Sequence, residues 1–347
     1  MISRVAEHCF WMSRYLERAE NTARVLEVNQ TLLLDFPVPL EQQWQPLLII
    51  SGIHDMPKDA DGETVQHHLT WETSNPASIA SSIAAARENA RNIREVISAD
   101  CWERLNYYYL WIQSSQARVL YHDDRSAFYS QIKRINQLMT GISEGTMSHG
   151  EAWDFFQLGK YLERSCQTAR ILDVKYHILL PTVDQVGTPI DNAHWVAILM
   201  SCSGYEPFHK QRPGADPGIA VSDFLIFDSI FPRSVRFCLG KCRAAAYAIS
   251  GRPIGRPGNA AERALDDLVD WLNLTRIDDF VEAGLHEALT SVIDRIHGIG
   301  AAIHRTYFDQ RDSLTPHEAA EAHSQQPVLA APAPAPFSPG TSHQTSS

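Results

Sequence analysis

A chain of 347 residues is long enough for about two ordinary domains, or for one doubled domain with a substantial core. With 44% hydrophobic and 20% charged residues it is too apolar for general disorder, and a formal net charge of -11 excludes the cationic face that nonspecific nucleic-acid binding requires. No apolar run reaches the roughly 18 residues of a membrane span, Met1 to Arg24 is charged throughout, unlike a secretory leader, and six scattered cysteines lack the spacing of a disulfide or zinc framework, so the chain reads as cytoplasmic, with neither nucleic acid nor membrane as a partner.

The first predicted helix runs from about Ser3 to Leu34 and stops before Pro37 and Pro39, which cannot continue it. Its apolar seam is Met12, Leu16, Ala19, Ala23 and Leu26, with small residues in the middle that allow close helix approach. A helix over 42–53 follows, then a polar connector over 54–75 containing His67 and His68. Further helices are expected over 77–98, 100–120, 124–142, 149–180, 190–202, 220–250, 259–274 and 278–308, with loops at 204–218 and 251–258. No stretch alternates as a strand would. From about His317 to Ser347 the composition turns to Ala, Pro, Ser, Gln and Thr, too poor in core-forming residues to fold, so the tail is expected to be disordered.

One tract organises the whole reading. Tyr15-Leu16-Glu17-Arg18-Ala19-Glu20-Asn21-Thr22-Ala23-Arg24 returns 146 residues later as Tyr161-Leu162-Glu163-Arg164-Ser165-Cys166-Gln167-Thr168-Ala169-Arg170. Phe10 and Phe156 precede the two copies, and the seam recurs as Leu158, Leu162, Ser165, Ala169 and Leu172. Trp44-Gln45-Pro46-Leu47-Leu48 then corresponds to Trp195-Val196-Ala197-Ile198-Leu199, and Pro76-Ala77-Ser78-Ile79 to Pro232-Arg233-Ser234-Val235. The offset grows along the chain, as loop insertions would make it. The expected fold is therefore all-α, a helical bundle built from two tandem homologous halves over 1–146 and 147–312. Together these form one domain over about 1–310, followed by a disordered tail over 313–347.

On a helical wheel Arg14, Glu17, Asn21 and Arg24 share a stripe away from the Met12/Leu26 seam, and Lys160, Glu163, Gln167 and Arg170 repeat it, with Arg18 and Arg164 on the flanks. Three readings stand at this point. The stripes are solvated faces with weak i,i+3 and i,i+4 pairs; or they are a buried ladder that holds two halves in register; or Arg18, Arg24, Arg164 and Arg170 converge on a carboxylate or phosphate ligand. His286, His297 and His304 lack the inward Glu-x-x-His pairs of a bundle metal site, and no metal or cofactor is expected. Cys238 and Cys242 read as small buried packing groups rather than nucleophiles. No glycine-rich phosphate loop appears, so nucleotide chemistry within this chain is not expected.

The doubled Tyr-Leu-Glu-Arg resembles the alpha-E family, a bacterial all-helical group with a Glu-Arg motif. The resemblance extends through Ser3-Arg4-Val5-Ala6-Glu7, Ala86-Arg87-Glu88-Asn89-Ala90-Arg91, Phe231-Pro232-Arg233-Ser234-Val235-Arg236-Phe237 and Gly284-Leu285-His286-Glu287, covering about residues 1–308. At Cys9-Phe10-Trp11-Met12-Ser13 the chain departs from the more usual aromatic, Trp, Leu, Gly run. The resemblance implies a pathway that makes, attaches or removes a peptide, with a circularly permuted ATP-grasp protein and a transglutaminase-like protease as partners. The expectation is an accessory or scaffold protein for the ATP-grasp ligase, without catalytic activity of its own. The alternatives are an enzyme acting on a peptide or amino-acid derivative, with Glu17 or Glu163 as general base, and a purely structural dimer module; a homo-oligomer is among the partner expectations.

Overall fold

A computed structural model describes residues 3–35, 43–53, 60–179, 188–215 and 217–309, without the side chains of 35 and 176–179. The expected disorder of the tail over 313–347 falls outside the described residues. Within them the architecture is all-helical, and the described residues up to Phe308 form one compact unit. In chain order the helices are α1 (Ser3–Asp35), α2 (Gln45–Ser51), α3 (Gly62–Thr70), α4 (Ile79–Arg91), α5 (Ala99–Ile112), α6 (Ser115–Asp123) and α7 (Arg125–Thr146). They continue with α8 (Glu151–Leu179), α9 (Pro189–Ser201), α10 (Tyr205–Gln211), α11 (Pro217–Phe227), α12 (Val235–Ser250), α13 (Ala260–Leu274), α14 (Ile277–Ala283) and α15 (Leu285–Ile303), which widens into a π turn over His304–Phe308. Among the described residues no helix is long and apolar enough to cross a membrane.

The two longest helices, α1 and α8, pack against each other at the centre, and each carries its own set of neighbours. Helix α1 packs on α4 and α7, with α5 bridging those two; α8 packs on α12 and α15, with α13 bridging them. The short helices cross over, α2 packing against α8 and α9 against α1. Corresponding helices begin alike. The Ser78 hydroxyl accepts from Ser81 N to cap α4, and the Ser234 hydroxyl accepts from Phe237 N to cap α12, each satisfying one of the orphan N–H groups of a first turn.

Close approach of α1 and α8 depends on Gly159. A Cβ there would lie 2.2 Å from the Phe10 carbonyl oxygen and 2.4 Å from Ser13 Oγ, so only glycine lets the two backbones meet at that level. The predicted apolar seam lies in the core, with Met12, Leu26 and Leu158 fully buried. The small residues at its middle, Ala19, Ala23, Ser165 and Ala169, are buried too.

Several expected boundaries are corrected. Within the connector expected over 54–75 lies α3, capped by the Asp61 carboxylate accepting from Thr64 N and anchored by buried Val65 and Leu69. Two apolar residues one turn apart make too weak a period to stand out in sequence. The expected loop 204–218 contains α10. The helix expected over 100–120 breaks at Ser114, which caps α6, and 278–308 breaks at Gly284, whose φ of 88° favours glycine. The helix expected over 220–250 is two helices. Between them the Asp228 carboxylate accepts from Ile230 N and Phe231 N at 2.8 and 2.6 Å, a side-chain turn that competes with helix.

Candidate functional site

Matched residues of α1 and α8 sit side by side: Ser13 against Gly159, Asn21 against Gln167, and each Glu-Arg pair against the other. The two helices therefore run parallel and in register. The 3,4,3 spacing of Arg14, Glu17, Asn21 and Arg24 is the spacing of a seam between parallel helices. So the stripe lying away from one apolar seam is itself an interhelix surface, and the first reading of a solvated face does not describe it. Glu17 and Glu163 are 2% and 3% exposed.

The ion pairs are exchanged between the helices. Arg18 Nε and Nη2 donate to Glu163 Oε1 and Oε2 at 2.8 and 3.1 Å, and Arg14 Nε adds a bond to Oε2 at 2.8 Å. Reciprocally, Arg164 Nε and Nη2 donate to Glu17 Oε2 and Oε1 at 2.9 and 2.5 Å. These forked contacts are the strong form of a charged hydrogen bond. One turn further on, Asn21 Nδ2 donates to Gln167 Oε1 at 2.9 Å, and Gln167 Nε2 returns to Glu163 Oε1 at 3.2 Å. Burial raises the Glu163 carboxyl, but Arg18 and Arg14 outweigh it and hold the group well below the usual carboxylate range. Burial likewise opposes the Arg164 cation, and Glu17 reverses that, raising its pKa.

Lys160, in the position corresponding to Arg14, does not repeat that contact: its ammonium lies 4.7 Å from the Tyr161 ring. Burial, then the neighbouring Arg164, lowers it to about 8.

Two cavities flank the crossing, and they divide the candidate arginines. The first, about 200 Å³, is lined by Arg14, Arg18, Glu163, Arg170 and His297, closed on one side by Leu47 and Ile50 of α2. There Arg170 Nη1 donates to the Ile50 carbonyl at 3.3 Å and Nη2 to His297 Nε2 at 3.2 Å. Cys166 Sγ also lies 3.6 Å from that ring nitrogen. Burial, reinforced by Arg170, lowers the His297 pKa, so the imidazole is a neutral acceptor. Burial raises the Cys166 thiol, opposed by Arg170.

The second cavity, about 630 Å³, is lined by Glu20, Arg24, Asn136, Arg164 and Arg233 together with the apolar rim of Ile230, Phe231 and Pro232. Arg24 and Arg233 both donate to Glu20 Oε1, the latter at 2.8 Å, and Asn136 Nδ2 donates to Glu20 Oε2 and Glu17 Oε1 at 2.5 and 3.2 Å. Burial raises the Glu20 carboxyl, but Arg233, Arg24 and the Asn136 amide prevail and bring it down to about 2. Arg233 is delivered by the turn between α11 and α12, where its carbonyl accepts from Thr168 Oγ1 and the Pro232 carbonyl accepts from Arg164 Nη1.

Arg18 and Arg170 thus face one cavity, and Arg24 and Arg164 the other; the four do not converge. Glu20, Asn136 and Arg233 complete the network without belonging to either stripe. The i,i+4 spacing of Glu20 and Arg24 was the one local signal for them. The remaining candidates are placed elsewhere. His286 Nδ1 lies 2.7 Å from Asp173 Oδ1, and His304 packs on Phe308. Cys238 and Cys242 point their thiols at the carbonyls of Pro232 and Leu158, at 3.5 and 3.7 Å, with burial pushing Cys238 up to about 12.

Two parallel central helices, locked by exchanged Glu-Arg pairs and wrapped by shorter helices, define an all-helical, charge-clasped class of protein. The chain belongs to the Alpha-E family, described as a predicted alpha-helical domain with a conserved ER motif, whose model matches residues 1–308. It is similar to uncharacterized proteins of Mycobacterium tuberculosis (strain ATCC 25618 / H37Rv) and Mycobacterium bovis, 24% identical in each case over 94% of this chain. The chain spans 38% of the length of these relatives. No solved structure matches it.

Proposed function

We propose that this chain is a cytoplasmic, non-catalytic accessory subunit whose two homologous halves, 1–146 and 147–312, are clasped by the Glu/Arg ladder. In this reading it serves a circularly permuted ATP-grasp ligase in a pathway of peptide synthesis or modification, beside a transglutaminase-like protease. One observation carries the non-catalytic part. Glu17 and Glu163 are both buried with their carboxylate oxygens engaged in forked pairs with the opposite helix, and Glu163, held far below the usual carboxylate range by Arg18 and Arg14, is a poor general base. Duplication is supported by the reciprocal pairing of matched residues and by the like order of helix neighbours around α1 and α8. The partnership rests on the family resemblance; the greater length of the mycobacterial relatives supports a unit that works beside other sequence.

The test uses the full chain at native expression level with an untagged ATP-grasp partner. Copurification of the partner, with Glu17→Gln lowering pathway output only in step with the amount of folded protein, is the expected result. Loss of output in Glu17→Gln with fold and partner binding intact would assign chemistry to the glutamate and end the accessory reading.

A further inference from the structure

The cavity beside α2 holds an unbalanced charge. Arg14, Arg18 and Arg170 line it, and among the described lining residues Glu163 is the sole carboxylate. Arg14 and Arg18 both spend bonds on Glu163, yet a guanidinium has more N–H groups than these contacts use. Arg170 has only neutral partners, the Ile50 carbonyl and the His297 ring, and forms no ion pair among the described residues. Three cations around one anion in a partly enclosed space repel one another unless a further anion joins them.

We propose that this cavity binds a small dianion, a phosphoryl group or a short dicarboxylate, held by Arg14, Arg18 and Arg170. The volume sets the size. About 200 Å³ is room for an anion of the size of inorganic phosphate or a four-carbon diacid. The charge sets the valence, because two negative charges balance the surplus left after Glu163. Planar guanidinium forks match both phosphate and carboxylate oxygens. Leu47 and Ile50 exclude water from one wall, which strengthens the attraction. The inference goes beyond the clasp: Arg170 takes no part in the exchanged pairs, so a dry cavity would leave the clasp standing.

The experiment is calorimetric titration of the full chain with inorganic phosphate and, separately, with succinate, at ionic strength matched by sodium chloride, alongside thermal melting with each anion. Saturable binding of one or both is expected, with a matching rise in melting temperature. Phosphate alone assigns a phosphoryl ligand, and succinate alone a dicarboxylate. Arg170→Gln is expected to weaken binding about tenfold or more while keeping the ligand-free melting temperature. Thr22→Glu, one turn from Arg18 and facing the same cavity, supplies an internal carboxylate; it is expected to abolish binding and to raise the ligand-free melting temperature. It carries the test if Arg170→Gln fails to fold. Absence of binding by both anions at about 10 mM, or unchanged binding in either folded variant, would overturn the proposal.

Discussion

The two sides of the α1/α8 crossing carry similar Tyr-Leu-Glu-Arg tracts and differ in how their charges are balanced. On the side that carries Arg233, three guanidinium groups share two carboxylates, Glu17 and Glu20, with the Asn136 amide between them. On the other side, in the repeat alignment, Cys166 stands opposite Glu20 and Ala77 opposite Arg233, and three guanidinium groups line a cavity whose sole carboxylate among the described residues is Glu163. The first arrangement resembles a closed structural ion network. The second keeps the clasp and adds a cavity whose charge is incomplete. Buried charge therefore does two jobs in this fold: where acids and bases nearly match it fixes helix register, and where they do not it prepares a surface for an anion.

Removing either clasp carboxylate breaks the comparison most directly, because each leaves buried guanidinium without its anion. Glu163→Gln is expected to cost about 3 to 5 kcal/mol. Glu17→Gln should cost less than Glu163→Gln, since Glu20 remains to balance the arginines on its side. Chemical denaturation of both variants at pH 7 checks the order; negligible losses would mean that the pairs do not hold α1 and α8 together, and equal losses that Glu20 does not compensate for Glu17. Next comes the backbone contact. Gly159→Ala places a methyl against the Phe10 carbonyl and should cost about 3 kcal/mol, whereas Ser13→Ala across the same contact loses one local hydrogen bond and should cost about 1. If the two variants melt alike, the helices do not approach as closely as the parallel register requires.

Acid sharpens the difference between the sides. Glu20 ordinarily titrates near 4.5 and in the folded protein near 2, so the unfolded chain takes up its proton first. Its contribution is present above about pH 4.5 and is lost as pH falls toward 2, amounting to about 3 kcal/mol if the whole shift is realised. Glu20→Gln should flatten the pH dependence of stability over that window. Cys166→Ser, at the corresponding position, should leave it unchanged, since that thiol stays neutral throughout. Denaturant titrations at several pH values between 2 and 6 decide the point.

Much of this was legible in the sequence and some could not be. The repeat of Tyr-Leu-Glu-Arg, the all-helical class and the seam from Met12 to Leu26 follow from periodicity, which is a local property. Wheel geometry also placed Arg14, Glu17, Asn21 and Arg24 on one stripe, since residues three and four apart share a face whatever lies opposite. What lay opposite was not readable. That Arg18 reaches Glu163 and Arg164 reaches Glu17, and that Arg233 arrives from the turn before α12 to meet Glu20, are contacts across large sequence separations. The Asp228 turn and the short α3 were hidden for the opposite reason: a side chain competing for backbone N–H groups, or one buried apolar pair, decides them against a weak helical period.

The amide pair at the level of Asn21 and Gln167 offers the finest test, because there the two sides meet each other. Asn21 Nδ2 donates to Gln167 Oε1, and Gln167 passes its own N–H to Glu163, so the pair connects the helix register to the cavity lined by Arg14, Arg18 and Arg170. Removing Gln167 leaves the buried Asn21 amide without that bond, removing Asn21 leaves the half-buried Gln167 oxygen without it, and removing both lifts the penalty. Asn21→Ala and Gln167→Ala are each expected to destabilise by about 1 to 2 kcal/mol, and the double variant by less than their sum, with a coupling of about 1 kcal/mol in a double-mutant cycle. Additive losses would mean that the two amides merely occupy neighbouring space. Register would then rest on Gly159 and the exchanged ion pairs alone, and the link from the interhelix seam to the anion cavity would reduce to Glu163.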